Sequence, residues 1–352
     1  MPSRRATPGQ STGHLSNTDS TEQADRPGPS VLIWAITARC NYRCTHCYAV
    51  RFNRRGELSG AEAKEVIRES AETGAEHLSL YGGEPFLRTD TLSLIEHARN
   101  LGLTVSAVSN GSLITDSLAE FLAANSVRMS LSLDGNRETH ELVRGGGSWD
   151  LVVAAAARFR QQGVPFTTVM ALSQRTYPAV PEYLGTAQGL GADAACLIPV
   201  MPSGRAKPDM PLTPSQMTAA LRQAEEAAER LRFPVRLWCT PFAGAVISSP
   251  LISYSSCRQS AELNIAPNGD VFLCDILDDV VANVRDDGVF GAWRKRAQHP
   301  LIRELAQPEL RRPCLRCPAK ETCQGGCYAR AQLMSGDVFA PDPLCPRVAR
   351  HD

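Results

Sequence analysis

From residue 31 onward the chain alternates between short apolar runs and stretches with helical spacing. The runs Val31–Ile36, Glu76–Tyr81, Thr104–Val108, Arg128–Leu133, Phe166–Ala171 and Ala194–Pro199 are mostly apolar and bounded by Gly, Asn, Asp or Pro. Strands of a parallel sheet look like this, because helices cover both faces and leave no polar side. The amphipathic segments between the runs have readable ends. Ser59 and Glu62 predict a capping box ahead of Val66 and Ile67. Gly102 and Gly163 stand where a helix C-terminal glycine belongs. Six strand–helix units in succession predict an α/β fold, a partial TIM-like barrel with its active site at the C-terminal strand ends.

The rhythm changes near Thr213. Thr213, Pro214 and Gln216 supply a cap, a proline at the first helical position and a capping-box partner for a helix running to about Arg232. The expected organisation is a disordered tail over 1–30, the barrel over 31–212, a bridging helix and strand over 213–238, and a small cysteine-rich domain over 239–348. That last segment is rich in Cys, Pro and Gly and poor in long apolar runs. Metal clusters would supply the cross-links that apolar burial does not. The tail carries Ser, Thr, Gly, Pro and charge with almost nothing apolar, unlike a secretory signal.

Composition narrows the function classes. Among 352 residues, Lys plus Arg is 37 and Asp plus Glu is 37, a balance unlike that of an electrostatic nucleic-acid binder. No apolar run approaches the ~20 residues of a membrane helix. With no export signal, the expected location is the cytoplasm, where thiols stay reduced. Twelve cysteines in clusters then point to metal ligands or redox groups more than to disulfides.

The first cluster, Cys40-x3-Cys44-x2-Cys47, directly follows the first predicted strand. Three such thiolates can converge on one face of an iron–sulfur cube and leave one iron open to a substrate or cofactor. A zinc site is the alternative, and this spacing suits it poorly without an adjacent fourth ligand.

The loop resembles the signature of the radical S-adenosylmethionine (SAM) enzymes, with His46 where that family usually has an aromatic residue. Gly82-Gly83-Glu84-Pro85, ending the second strand, is similar to the family's GGEP element, which contacts the SAM amino group. Ser109 and Asn110 end the third strand, and Ser132 and Asp134 the fourth. They resemble the family's other SAM-contacting strand ends, with Ser132 and Asp134 near the ribose. Arg144 resembles the arginine that pairs with the SAM carboxylate, a task suited to a guanidinium fork. Taken singly, each of these polar residues also reads as a turn or cap.

The second series is Cys257-x11-Gly269-x4-Cys274, Cys314-x2-Cys317-x5-Cys323-x3-Cys327 and Cys345. It is similar to the SPASM extension of radical SAM enzymes, which implies two auxiliary [4Fe–4S] clusters beside the SAM cluster. The resemblance assigns Cys314, Cys317, Cys323 and Cys345 to the distal cluster and Cys257, Cys274 and Cys327 to the proximal one. Some family members add a further proximal cysteine, and Arg258–Asn268 contains none. Cys239 is the best spare and Cys196 the next, with a buried inert thiol the alternative for each. A zinc-ribbon reading of Cys314–Cys327 is the alternative for the C-terminal set.

The implied chemistry is reductive cleavage of SAM to a 5′-deoxyadenosyl radical that takes hydrogen from a substrate. A reducing protein such as flavodoxin or ferredoxin is the implied partner. Asp275, following Cys274, resembles the general base of SPASM enzymes that oxidise a hydroxyl or thiol; an exposed loop acid is the plain alternative. Peptide-modifying relatives often carry a leader-binding domain, and the 30-residue tail leaves no room for one here. The expected substrate is therefore a small sugar, aminocyclitol or nucleoside-type intermediate undergoing dehydrogenation, epimerisation or decarboxylation. Porphyrin side-chain modification and maturation of a ribosomal precursor peptide are the competing enzyme readings. A non-catalytic iron–sulfur carrier or zinc scaffold would leave GGEP and the other strand-end motifs unexplained.

Overall fold

The computed structural model describes residues 28–52, 56–258 and 260–349. The expected tail lies outside the described residues as far as residue 27. Six parallel strands form the centre of one sheet: β1 (Val31–Thr37), β2 (His77–Gly82), β3 (Thr104–Ser109), β4 (Arg128–Ser132), β5 (Phe166–Leu172) and β6 (Ala194–Pro199). Each lies within a residue of its sequence-predicted limits at either end. Helices α1 (Gly60–Glu72), α2 (Thr91–Asn100), α3 (Asp116–Ala124), α4 (Arg137–Arg144), α5 (Ser148–Gln162) and α6 (Val180–Gly189) connect them. The Ser59–Glu62 capping box forms at the start of α1, and Gly163 caps α5 with a positive φ of 71°. Leu32, Trp34, Leu78, Leu80, Leu131 and Met170 are among the side chains sealed in the core.

The bridging helix α7 (Pro214–Leu231) begins with the expected Thr213–Gln216 capping box. It leads into β7 (Val235–Leu237) and β8 (Ile252–Tyr254), which extend the parallel run beyond β6. On the other side of β1 lie β9 (Glu262–Ile265), β10 (Asp270–Phe272) and β11 (Val280–Asn283). Strand β9 runs parallel to β1, and β10 and β11 are antiparallel additions. Among the described residues the sheet does not close, and β11 and β8 are its two edges.

The strand–helix rhythm of the sequence stops at β7, yet 239–348 contributes four more strands and the helices α8 (Val284–Gln298), α9 (Pro300–Ala306), α10 (Lys320–Cys323) and α11 (Tyr328–Ser335). Three- and four-residue strands are too short to show a period. Gly269 belongs to the β9–β10 turn, where its positive φ of 88° explains a glycine at that point of the cysteine pattern. Among the described residues, no helix is long and apolar enough to cross a membrane.

Candidate active site

Register places the first two motifs side by side. Thr37, the last residue of β1, pairs with Gly82, the last of β2, so the cysteine loop and the Gly82–Pro85 turn emerge together. Backbone bonds join them: Gly83 N–H donates to Thr37 O at 2.8 Å and Glu84 N–H to Arg39 O at 2.8 Å. A Cβ at Gly83 would stand 2.0 Å from Arg39 O, so the second glycine is a requirement of close backbone approach.

Glu84 is fully buried. Its Oε1 accepts from Ser109 Oγ at 2.9 Å and its Oε2 from Asn110 N–H at 2.8 Å. Burial nevertheless raises its pKa to about 7. Asn110 Nδ2 reaches the Cys40 sulfur at 3.9 Å and Asn41 Oδ1 at 2.9 Å. Tyr42 N–H points at Cys40 Sγ from 3.4 Å, and Arg144 Nη1 at Cys44 Sγ from 3.8 Å. Burial pushes the Cys40 and Cys44 thiols up, so free they stay protonated; metal ligation is what would hold them as thiolates.

Arg144 Nε is bonded to Asp134 Oδ2 at 2.7 Å. The other oxygen of Asp134 accepts Ala171 N–H at 2.8 Å, and the residue is sealed from solvent. Each Asp134 oxygen thus has one protein partner, Arg144 or the β5 backbone, and the carboxylate orients the guanidinium toward the cysteine loop. Ser132 is half-buried at the end of β4. His46 lies in the field of Asp134 and Arg144, and loss of solvent around its ring lowers its pKa to about 4. His140, a residue with no sequence signal, is fully buried beneath them, with Nδ1 3.2 Å from Asp134 N.

Asp275 is half-buried. Its Oδ2 accepts the Tyr48 hydroxyl at 3.0 Å, and Tyr81 is a second hydroxyl donor. Cys274 Sγ is 3.7 Å from its Oδ1. Arg51 Nη1 donates to the Asp275 carbonyl at 2.7 Å, and the same guanidinium bonds Leu277 O and Asp278 Oδ1. Burial raises the Asp275 carboxyl above the usual range, and the tyrosine bonds pull it back. Tyr48 follows Cys47 in the cysteine loop and Tyr81 precedes Gly82 near the end of β2; neither carried a sequence signal for a contact with Asp275.

Cys314, Cys317, Cys323 and Cys345 line one hollow together with Phe242, Pro313 and other residues. Cys274 and Cys239 pack against the apolar cluster that contains Cys327, and Cys257 is in electrostatic reach of Cys327. Cys196 lies apart, fully buried within β6. Among the described residues, no three His, Cys, Asp or Glu side chains gather closely enough for a single metal ion. Four thiols around a shared hollow fit the larger multi-iron cube. Two ion-paired residues unmarked by sequence brace this region. Arg330 and Asp342, both buried, are joined at 2.9 and 2.6 Å. Asp342 also accepts Cys327 N–H at 2.9 Å and Leu344 N–H at 3.0 Å.

Residues 34–179 match the family model described as the radical SAM superfamily. The AdoMet-dependent heme synthase of Methanosarcina barkeri is 29% identical over 339 residues, 90% of this chain and 96% of the relative. The mycofactocin maturase MftC of Mycobacterium tuberculosis is 30% identical over 338 residues, 92% of this chain and 85% of the relative. In fold, the chain is similar to Streptococcus suis SuiB bound to its precursor peptide SuiA. The TM-score is 0.76 at 17% identity, over 92% of this chain and 77% of that one. The cofactors follow from the family: S-adenosylmethionine and a [4Fe–4S] cluster, with the C-terminal cysteines fitting two auxiliary clusters. The chain belongs to the radical SAM enzymes, in their SPASM-domain subgroup.

Proposed function

We propose that this radical SAM enzyme acts on a small-molecule biosynthetic intermediate and catalyses an oxidoreductase- or lyase-type reaction: dehydrogenation, epimerisation or decarboxylation. Cys40, Cys44 and Cys47 would hold the SAM cluster, and Glu84, Ser109, Asn110, Ser132 and Arg144 would hold SAM beside it. Cys257, Cys274 and Cys327 would hold the proximal auxiliary cluster, and Cys314, Cys317, Cys323 and Cys345 the distal one. When bound and reduced, SAM and its cluster supply a 5′-deoxyadenosyl radical, an oxidant able to take hydrogen from an unactivated C–H bond.

The observation that carries the reaction type is the setting of Asp275. It joins the cysteine loop, through Tyr48, to the auxiliary ligand Cys274. A carboxylate there takes the proton that a substrate radical sheds as it is oxidised, while the auxiliary cluster that Cys274 would hold takes the electron. Burial raises the carboxyl and makes it a stronger base than a solvated one. Arg51 holds the backbone under Asp275, which keeps the base in place.

The extent of alignment with a heme synthase, 90% of this chain and 96% of the relative, supports a small-molecule substrate. Among such substrates it brings a tetrapyrrole side chain ahead of a sugar, aminocyclitol or nucleoside. The mycofactocin maturase, at 30% identity, favours a second reading, maturation of a precursor peptide. The test is 5′-deoxyadenosine release by anaerobically reconstituted protein given SAM and a flavodoxin- or ferredoxin-type reductant. Tetrapyrrole carboxylates, small metabolites and peptides are supplied in separate arms. Stimulation by a small molecule is the expected result; stimulation by peptides alone overturns the proposal in favour of the second reading.

A further inference from the structure

Cys239 is the one cysteine outside both sequence motifs that the fold brings to a cluster. It lies two positions beyond β7, at the C-terminal end of a barrel strand, where a (β/α) fold collects its functional side chains. Its backbone is left-handed, with φ at 52°, a conformation that is costly for a residue with a Cβ. Arg330 Nη2 holds the strained unit by donating to the Cys239 carbonyl at 2.8 Å.

The side chain faces the other proximal cysteines. Cys239 and Cys274 pack against the same apolar cluster as Cys327, with Met201, Leu305 and Tyr328. The Cys239 and Cys327 thiols share a side-chain hydrogen bond, and Cys257 and Cys274 are near enough to act electrostatically on Cys239. Four elements thus converge: the end of β7, the loop before β9, the β10–β11 loop and the N-cap of α11.

Three buried arginines surround these cysteines, with Asp342 paired to Arg330 and Glu262 in the field of Arg296. Arg258, Arg296 and Arg330 are at most 5% exposed. Arg258 Nη1, Arg296 Nε and Arg330 Nη1 are buried without a hydrogen-bond partner. Each guanidinium lies in the field of two or more cysteine thiols: Cys257, Cys323 and Cys327 for Arg258, Cys257 and Cys274 for Arg296, Cys239 and Cys327 for Arg330. Unpaired buried guanidinium N–H groups are expensive, and three around one site call for an anion. Four thiolates on an iron–sulfur cube supply one.

We propose that Cys239 is the fourth cysteine ligand of the proximal auxiliary cluster, which closes that cluster to substrate and confines it to electron transfer. The inference rests on the SPASM reading of Cys257, Cys274 and Cys327, and it removes the need for the extra cysteine missing between Arg258 and Asn268.

The test uses the full chain in a background with Cys40, Cys44 and Cys47 replaced by Ala, so that only auxiliary clusters report. Electron paramagnetic resonance of the reduced protein is recorded with and without cyanide, a ligand for open iron. The background signal is expected to ignore cyanide, whereas adding Cys239→Ala creates a cyanide-sensitive signal. At a fixed potential that variant is expected to change its reduced-to-oxidised ratio at least tenfold, about 59 mV for one electron. Cys239→Ser, which keeps the volume, is expected to retain the cluster with an altered potential. It decides the matter if the alanine variant fails to fold or loads no iron. A background signal already sensitive to cyanide overturns the proposal. So does a spectrum of Cys239→Ser, or of a folded Cys239→Ala, matching that of the buried-thiol control Cys196→Ala. Release of 5′-deoxyadenosine by the unaltered protein is measured in parallel. Its absence would fail the enzymatic reading, whereas the cyanide response concerns Cys239 alone.

Discussion

In the barrel, the large side chains sealed from solvent are Trp34, Phe159, Leu32, Ile36 and their apolar neighbours, whereas in the cysteine-rich region one of the largest is Arg330. The barrel strands meet along long parallel registers and bury a continuous apolar layer. Residues 239–348 add short strands to both edges of the same sheet, then tie their cysteine loops with buried Arg258, Arg296, Arg330 and Asp342. Hydrophobic burial is indifferent to metal, but a buried charge network around thiolates is not. The barrel thus rests on apolar packing, whereas the cysteine-rich region rests on buried polar groups whose balance bound clusters would complete.

The largest effect expected from this difference follows metal removal. Anaerobic chelation should abolish hydrogen-exchange protection over about residues 311–345 while β1 to β6 keep theirs. Simultaneous loss of protection in both would break the comparison. A narrower version is Asp342→Asn, which strands the buried Arg330. Breaking such a pair costs about 3–5 kcal/mol, and denaturant-dependent exchange should assign that loss to the Cys327–Cys345 segment rather than to the barrel.

Asp275→Asn tests the seam between the regions. It should lower product formation by about 10²-fold or more while 5′-deoxyadenosine still forms. In the native protein the product rate should rise with pH through the elevated Asp275 pKa, because the ionised form is the base. A rate profile unchanged by the substitution would remove Asp275 from the reaction.

The smallest effect belongs to the barrel alone. Glu84 has its folded pKa raised from 4.5 to about 7. The stability it contributes in its neutral form is full below pH 4.5 and lost as pH rises through about 7. A bound SAM amino cation favours the carboxylate, so SAM binding near pH 7 should release a fraction of a proton. Calorimetry in buffers of different ionisation enthalpy reads that fraction, and Glu84→Gln should abolish it.

Much of the barrel was legible because its signals are local. Ser59 with Glu62, and Thr213 with Gln216, are capping contacts within one helical turn. The six central strands are long enough to show as apolar runs. The four short strands after β7 are not, and their place beside β1 and β7 depends on partners distant in sequence. The site divides in the same way. The cysteine spacings, Gly82–Pro85 and the strand-end motifs were readable, since each is a short segment. Tyr48 and Tyr81 meeting Asp275, and Arg330 meeting Asp342, were not.

The sequence by itself determined the alternation of strand and helix, the order of the motifs along it and, through cysteine spacing, the family. Such features are carried by neighbouring residues whose chemistry does not depend on what folds against them. Only the tertiary structure decided that the Asp134 carboxylate bonds Arg144 and the β5 backbone, that Asp275 sits between two tyrosines, and that Cys239 faces Cys327 while Cys196 stays in the core. The physical reason is that a buried polar group takes its role from the partners that replace water around it, and those partners are brought together by sheet register and packing.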